Sequence, residues 1–455
     1  MTLAPAKYAH YFADFQALSQ GPGAGAPPWL KTIRDNAWSR FSETGFPTAR
    51  RGNERWKYSN VGPIAKIDFG LASGAAPVNA SKALAPEYQL DGPAVYRLVF
   101  VDGRLHSGLS SPANGSNGVR ADSLATTVAD GSFDLEARIG NYAPLDDDDG
   151  FVALNTAFLH DGASVHVADG HSEKVVIHLS YVTTETAIDS APKVTHPRTL
   201  VVAGRNSDVT VVESYTGPQD EVYFTNAVTE ISVGEGAKVD HYRLLLDGAK
   251  AFHVGTSRVN QEKDSSFSSA SFALGTALAR NDFEVLLDAS GAYCSLNGLY
   301  LTTDNQHIDN LISIDHAQPN CTSRLNYKGI LDGKSRAVFG GEVMVRRDAQ
   351  KSDAQQTDKN LILSHSAEVN SKPSLMIYAD DVKCSHGATA GHIDADTLFY
   401  LRSRGLDLDA ASRMLIHAFA GEIISTVKPE PLREYLDTLF SAAIPDKSLP
   451  FGITR

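Results

Sequence analysis

The chain has 455 residues, of which 41 are Lys or Arg and 54 are Asp or Glu, so its formal net charge at pH 7 is −13. This acidic balance disfavours nucleic acid or an anionic membrane as the main partner, because both carry negative charge. No run of about 18 apolar residues is present, which argues against a membrane-spanning helix. The length predicts two or three domains unless the fold is elongated.

Three cysteines stand far apart in the sequence, at positions 294, 321 and 384. A sparse, odd number of cysteines behind an N-terminus without a signal-peptide pattern predicts a reduced, cytoplasmic protein without a disulfide framework. The same count excludes a self-contained metal site built from four cysteines.

Residues 1–90 are expected to form an N-terminal helical region with long loops. A first helix should end near Gln20, because residues 21–28 are rich in Gly and Pro, and residues 29–41 predict a second helix. Residues 72–85 are rich in small side chains and are expected to form a linker.

Residues 91–385 are expected to form a core of short β-strands. Segments such as 96–100, 174–179 and 208–213 are rich in Val, Ile, Tyr, Phe and Thr and are bounded by turn residues. No amphipathic helix of three turns interrupts them after about residue 170. Stacked sandwiches, a propeller and a β-helix remain as architectures. Sandwich domains would need linkers every 100–150 residues or so, and their absence favours a continuous solenoid.

A weak pattern of a turn residue, a small residue and then a strand recurs in this core. It includes Ala163, Ala237, Ala292 and Ala337, which follow each other at 74, 55 and 45 residues. Because these intervals are irregular, the pattern does not indicate a regular repeat array.

Residues 386–455 are expected to form a C-terminal helical domain. Asp394 can cap a helix that ends at Gly405, and Asp409 can cap a second helix over 410–427. Prolines break that helix, and residues 432–443 predict a third. The apolar stripes of these helices must pack on each other, on the strands or on another chain.

Cys384 and His386 are the best candidate metal ligands. Residues two apart on a strand share one face, so the thiol and the imidazole could converge. Two ligands do not close a site, and a partner chain would have to supply the others. The alternative is a small buried cysteine beside a histidine that bonds to the backbone.

A glycine-rich segment at residues 329–335 is similar to a phosphate-binding loop but has three residues between its glycines where such a loop has four. Strand-like sequence lies on both sides of it. The segment therefore predicts a β-turn, and ATP hydrolysis by this chain is not expected.

Five segments carry a resemblance to a known family. Residues 382–389, 398–405 and 418–422 resemble the C-terminal signature of the SufB/SufD family of iron–sulfur cluster assembly proteins. Residues 45–48 and 54–58 resemble an N-terminal motif of the same family. The amino-acid sequences of the C-terminal segments are more similar to the SufD type than to the SufB type. The five segments also occur in the same order as in the family.

The resemblance implies a right-handed parallel β-helix flanked by N-terminal and C-terminal helical regions. It further implies a non-catalytic scaffold subunit in the cytoplasm that pairs with SufB through the β-helix and with the ATPase SufC through the C-terminal helices. The chain alone could form a homodimer, and no nucleic acid or membrane is expected as a partner. In the family, the histidine that matches His386 faces SufB.

The resemblance makes His386, with Cys384 beside it, a candidate ligand of a transient iron–sulfur cluster at the interface with SufB. No cluster is expected to be held stably by this chain alone. Two alternatives remain open. One is a SufB-like chain that holds a nascent cluster itself, which the isolated cysteines disfavour. The other is a β-helix enzyme that acts on polysaccharide through paired carboxylates.

Overall fold

The structure, a computed structural model, describes residues 8–49, 53–72, 90, 94–115, 117–131, 133–145, 150–187 and 190–444. The α-helices in these ranges are α1 (Ala9–Gln20), α2 (Pro28–Thr44), α3 (Gly62–Lys66), α4 (Leu124–Asp130), α5 (Gly150–Ala157), α6 (Ala395–Ser403), α7 (Leu408–Ile424) and α8 (Glu430–Ala443). The linker expected at 72–85 lies outside the described residues except for Ala72.

The β-strands of the first half are β1 (Gly70–Leu71), β2 (Val95–Val101), β3 (Arg104–Leu105), β4 (Ala113–Asn114), β5 (Val119–Ser123), β6 (Ala163–Val167), β7 (Val175–Val182), β8 (Lys193–Thr195), β9 (Arg198–Ala203), β10 (Asp208–Thr216) and β11 (Phe224–Val233). Those of the second half are β12 (Lys238–Leu246), β13 (Phe252–Gln261), β14 (Ser266–Leu274), β15 (Leu278–Leu287), β16 (Tyr293–Thr302), β17 (His307–His316), β18 (Thr322–Leu331), β19 (Arg336–Val345), β20 (Asp353–Ile362), β21 (Glu368–Ile377) and β22 (Lys383–Gly391).

Most of these strands form a parallel β-solenoid of about seven turns, which confirms the mainly β architecture with helices at both ends, whereas β3, β4 and β5 pair antiparallel. The chain alternates between two sheets. The first sheet runs from β6 and β9 through the odd-numbered strands to β21, and the second runs from β2 and β7 through the even-numbered strands to β22. Along the second sheet, residues 208, 238, 266, 293, 322, 353 and 383 are paired in register, so one turn takes 27 to 31 residues.

The continuous solenoid expected from the sequence is therefore confirmed, and the irregular spacing of the alanine pattern has a structural reason. Ala237 and Ala292 lie at one corner of the solenoid two turns apart, whereas Ala163 and Ala337 lie on strands of the other sheet. The four alanines come from two different positions in the solenoid turn, so the intervals between them do not show the length of one turn.

One corner of the solenoid explains the recurring turn residues. At each turn one residue has a positive φ angle, and its N–H donates to a carbonyl of the next turn. Gly, Asn and Asp adopt this left-handed conformation at low cost, and they fill five of the six positions. The six residues are Asn206, Gly236, Asp264, Gly291, Asn320 and Lys351.

Two short helices, α4 and α5, interrupt the range 91–385 that was expected to be strands. The sequence did not reveal α5 because all eight of its residues are buried, between α2 and the first sheet, so it has no amphipathic stripe. An aromatic cluster joins it to the N-terminal helices: Phe15 stacks on Trp38 at 5.1 Å between ring centroids, and Phe46 lies 5.1 Å from Phe151.

The C-terminal helices pack on the outer face of the second sheet. Ile423 of α7 and Phe440 of α8 share a core with Leu244 and Phe272 of the strands. Asp394 caps α6 by accepting a hydrogen bond from the backbone N–H of Thr397, as predicted.

The cap of α7 was assigned to the wrong residue. Asp407 and not Asp409 accepts from the N–H of Ala410, because the helix begins two residues earlier than expected. In the part of the chain that the structure describes, no helix is long and apolar enough to cross a membrane.

Candidate functional site at the open end of the solenoid

The two last strands, β21 and β22, form one end of the solenoid, which we call the open end. Each is the terminal strand of its sheet, so one edge of each has no neighbouring strand among the described residues. Most of β22 is exposed, and Tyr378, just after β21, is 63% exposed beside the partly exposed Ile377. An unpaired edge next to exposed apolar side chains is a surface that other chains can pair with.

Cys384 and His386 both lie on β22, which continues to Gly391, six residues past the predicted boundary at 385. Ala354 and Gln356 of β20 are their register partners, and both of these are buried. Cys384 packs against the core between the sheets. Because residues two apart share a face, His386 points the same way, but it is exposed since no further turn covers it.

Small side chains complete this strand. The register partners of Asp358 and Asn360 are Ala388 and Ala390, whose side chains are single methyl groups. The inner face of β22 is therefore thin, and the polar side chains of the turn beneath lie close to the open end.

A hydrogen-bonded polar group fills that turn. The Tyr300 hydroxyl donates to Asn360 Oδ1 at 2.6 Å, and Asn360 Nδ2 donates to Asp358 Oδ2 at 2.8 Å. The Ser371 hydroxyl donates to the same Asp358 oxygen at 2.6 Å. Burial raises the pKa of Asp358 to about 6, against the lowering effect of these hydrogen bonds.

Sequence reasoning missed Gln356, Asp358 and Asn360 as members of the site. They form an alternating polar pattern on a strand, and that pattern ordinarily marks a solvent-facing side. One signal in the sequence could have found them: they lie about 30 residues, or one turn of the solenoid, before Cys384 and His386.

Burial raises the pKa of all three thiols. Cys294 lies inside the solenoid and Cys321 at its corner, where the thiol contacts the carbonyl oxygen of Ala289 at 3.3 Å. The pKa of Cys384 is also raised by its partial burial. Since the thiolate is the nucleophile and the ligand, these environments do not activate the sulfur for chemistry in the chain alone.

Among the described residues, no three His, Cys, Asp or Glu side chains come together in a way that could hold a metal ion. The structure brings Cys384 and His386 onto one face of β22 but does not add a third ligand to them. The two side chains therefore lie together at an exposed strand edge.

A second exposed apolar surface lies on the C-terminal helices. Phe399 of α6 is 73% exposed, and Tyr400, Leu406 and Met414 are also exposed. Leu398 is the one buried residue of α6. We call the two exposed aromatic residues of α6, Phe399 and Tyr400, the α6 patch; exposed apolar surface of this kind often marks protein interaction sites.

The loop-like segment at 329–335 is a turn, as predicted. Gly329 lies in β18, Gly333 has a φ of +66°, and β19 begins at Arg336. No helix N-terminus follows it that could hold a phosphate.

Comparison with known proteins decides the family. Residues 183–419 match the SufBD core domain of the SUF system for iron–sulfur cluster assembly, and residues 5–179 match the SufBD N-terminal region. The chain belongs to the SufB/SufD family of iron–sulfur cluster assembly proteins.

Several members of this family are similar to the chain over most of their length. An iron–sulfur cluster assembly SufBD family protein of Synechocystis is 34% identical, over 82% of this chain and 83% of the relative. The SufD protein of Escherichia coli is 32% identical, over 86% of this chain and 88% of its own. The SufD protein of Bacillus subtilis is 23% identical, over 90% and 93% of the two chains.

Proposed function

We propose that this SufB/SufD family protein is a non-catalytic scaffold subunit that pairs with SufB through the open end of its solenoid. The observation that carries the proposal is the unfinished last turn, where an exposed strand edge holds His386 and Cys384 side by side. A partner strand added to this edge would bring the missing ligands to the two side chains.

Of the two edges, β22 is the better one for pairing. Pro373 lies in the middle of β21 and has no N–H to donate, whereas every residue of β22 keeps its N–H. The strand edge that can make a full ladder is thus the one that carries the candidate ligands.

The α6 patch is our proposed contact for the ATPase SufC. Its exposed aromatic side chains lie on a helix that makes little contact with the solenoid, which leaves its face available to another chain. The chain would act in the cytoplasm as part of this complex.

We assign a nascent iron–sulfur cluster, which is the cargo of the complex, to the interface with SufB. His386 is the leading candidate ligand because it is exposed at the edge and imidazole is a common ligand of iron. Cys384 is the second candidate. Its raised pKa and its packing against the core weigh against a SufB-like chain that holds the cluster alone.

The test is co-purification of the chain with SufB and SufC, followed by cluster formation in the complex. We expect a stable complex that contains all three proteins, and we expect His386→Ala to lower the rate of cluster formation at least about tenfold. Ser385→Ala is the matched control, since Ser385 is exposed on the opposite face of the same strand. Unchanged cluster formation in the His386→Ala complex would remove His386 from the site, and failure to recover SufB would contradict the scaffold role.

A further inference from the structure

Two buried side-chain oxygens directly beneath β22 have no hydrogen-bond donor in the described part of the structure. They are Oε1 of Gln356 and Oδ1 of Asp358, on side chains whose residues are 2% and 0% exposed. Leaving a buried acceptor without a donor is unfavourable, so most buried acceptors in proteins have one. Gln356 and Asp358 lie two residues apart on β20, so both acceptors face the side of the solenoid that β22 covers and that a donor at the open end can reach.

The orientation of the Gln356 amide is set by its surroundings. Its Nε2 donates to the backbone oxygen of Gly341 at 3.3 Å, so Oε1 is the end left over. Gly341 makes room for this contact, because a Cβ at that position would lie 2.0 Å from Nε2. The Gln356 amide thus occupies space that a larger residue than glycine at position 341 would fill.

Gln356 and His386 are register partners on adjacent parallel strands, and both lie on the inward-facing side. Two other pairs of inward polar register partners in the solenoid are hydrogen-bonded to each other. The first pair lies on the same sheet, at the same position in the turn as Gln356 and His386. There, His241 Nδ1 lies 3.0 Å from the hydroxyl oxygen of its register partner Ser269.

The second pair lies on the facing sheet. Asn281 Nδ2 donates to Oδ1 of its register partner Asn310 at 2.9 Å. The pair at the last turn is Gln356 and His386. Here His386 lies on the terminal strand and is exposed, because no further described strand covers it.

We propose that Gln356 is a positioning residue for His386: its side-chain oxygen accepts a hydrogen bond from one imidazole nitrogen, and the other nitrogen then faces out of the open end. Metal-binding histidines usually donate their second N–H to a carboxylate or carbonyl oxygen, which fixes the tautomer and the ring orientation. The bond forms when a partner chain covers the open end and takes the imidazole out of water. This inference rests on the proposed function, because it gives His386 its orientation in the complex with SufB.

Two substitutions test the role of the acceptor in the purified complex with SufB and SufC. Gln356→Met keeps the length of the side chain and removes the oxygen, and Gln356→Glu keeps an acceptor. Gln355→Met is the matched control, since Gln355 is the next residue on β20 and is exposed. We expect about a tenfold lower rate of cluster formation with Gln356→Met, a rate within about twofold of the parent with Gln356→Glu, and no change with the control.

The second readout is the tautomer of the His386 ring, measured before any cluster is formed. Nitrogen-15 spectra of the complex with labelled histidine report which ring nitrogen carries the proton, and His386→Ala identifies the signal. We expect one tautomer in the parent and in Gln356→Glu, and a mixture in Gln356→Met. A misfolded variant would instead change the signals of buried histidines such as His241.

The outcomes separate this inference from the proposed function. A single tautomer that survives Gln356→Met, or a mixture in the parent complex, overturns the role of Gln356, even if His386→Ala abolishes cluster formation. A single tautomer that depends on Gln356 supports the contact, even if His386→Ala leaves cluster formation intact and the site assignment fails.

Discussion

Glycines inside the solenoid make room for large polar and aromatic side chains. A Cβ at Gly255 would lie 1.7 Å from a guanidinium nitrogen of Arg243, which is buried. A Cβ at Gly329 would lie 2.4 Å from both Tyr300 and Asn360. Gly329 thereby lets the Tyr300 hydroxyl reach Asn360, and so a hydrogen-bonded group continues to the last turn. Position 329 was singled out by the sequence as part of a phosphate-loop look-alike, but its glycine serves interior packing.

Asp358 should make the free energy of unfolding depend on pH. Its pKa of about 6 lies above that of an unfolded aspartate, so the folded state holds the proton more tightly. The stabilising contribution of this group is complete below about pH 4 and is lost as the pH rises through 6. Between pH 5 and pH 7.5 the loss is about 1.4 kcal/mol.

Asp358→Asn removes this titration and keeps the shape of the side chain. We expect the urea midpoint of the variant to gain on that of the parent as the pH is raised from 5 to 7.5. Asp380→Asn, an exposed substitution near the same end, should show no such trend. A parallel pH dependence of the parent and Asp358→Asn would contradict the raised pKa.

At the scale of elements, helix α7 is held on the second sheet by a nearly buried lysine. Lys328 of β18 donates to Glu422 Oε2 at 2.5 Å and to the backbone oxygen of Phe419 at 3.0 Å, and its ammonium lies 4.4 Å from the Phe419 ring centre. The side chain of Lys328 is buried, whereas that of Glu422 is half exposed. The hydrogen bond from Lys328 lowers the pKa of Glu422. Both helix residues belong to the family-like segment 418–422, so this contact accounts for that motif.

Glu422→Gln should lower the free energy of unfolding by about 1–2 kcal/mol at neutral pH, because it leaves a buried ammonium without its carboxylate. The effect should shrink as the pH falls and Glu422 is protonated in the parent, which is the opposite trend to that of Asp358. Thermal unfolding monitored by circular dichroism would measure it. Glu434→Gln, on the exposed face of α8, is the control, and an equal loss in both variants would rule out a specific role for the Lys328 contact.

At the scale of the whole molecule, the two exposed apolar surfaces lie on different elements. One is the open end with Ile377 and Tyr378, and the other is the α6 patch with Phe399 and Tyr400. The strands at the open end continue the solenoid, whereas the α6 patch lies on a helix beyond it. We expect the two surfaces to bind different partners, as the proposed complex requires.

Substitutions on the two surfaces should act independently. We expect Ile377→Glu with Tyr378→Glu to reduce SufB binding at least about tenfold and to leave SufC binding intact, because a charge would be buried in the new interface. Phe399→Ser with Tyr400→Ser should do the reverse. Each double variant controls for the folding of the other, and binding would be measured by surface plasmon resonance with each partner separately. Loss of both partners in either variant would contradict the separation of the two surfaces.

Much of the architecture could be predicted from local patterns. The β-rich core, the helix at 29–41, the cap at Asp394 and the stop at Gly405 all depend on neighbours in the chain, and the structure confirms them within a few residues. The errors were nonlocal in origin. Helix α5 is buried on all sides by other elements, and the turn period was hidden because similar segments occur on both sheets.

Alternation, capping and motifs are short-range properties of the chain, so the fold class, the family and the place of the two candidate ligands on one strand could all be predicted from the amino-acid sequence. What lies under those ligands depends on contacts between residues far apart in the chain. The turns vary from 27 to 31 residues, so the register that sets Gln356 beneath His386 and Asp358 beneath Ala388 follows from packing between strands and not from spacing along the chain. That register also leaves the last turn uncovered, and for this reason a pair of side chains that could have been a detail of packing lies at an edge where a partner can complete it.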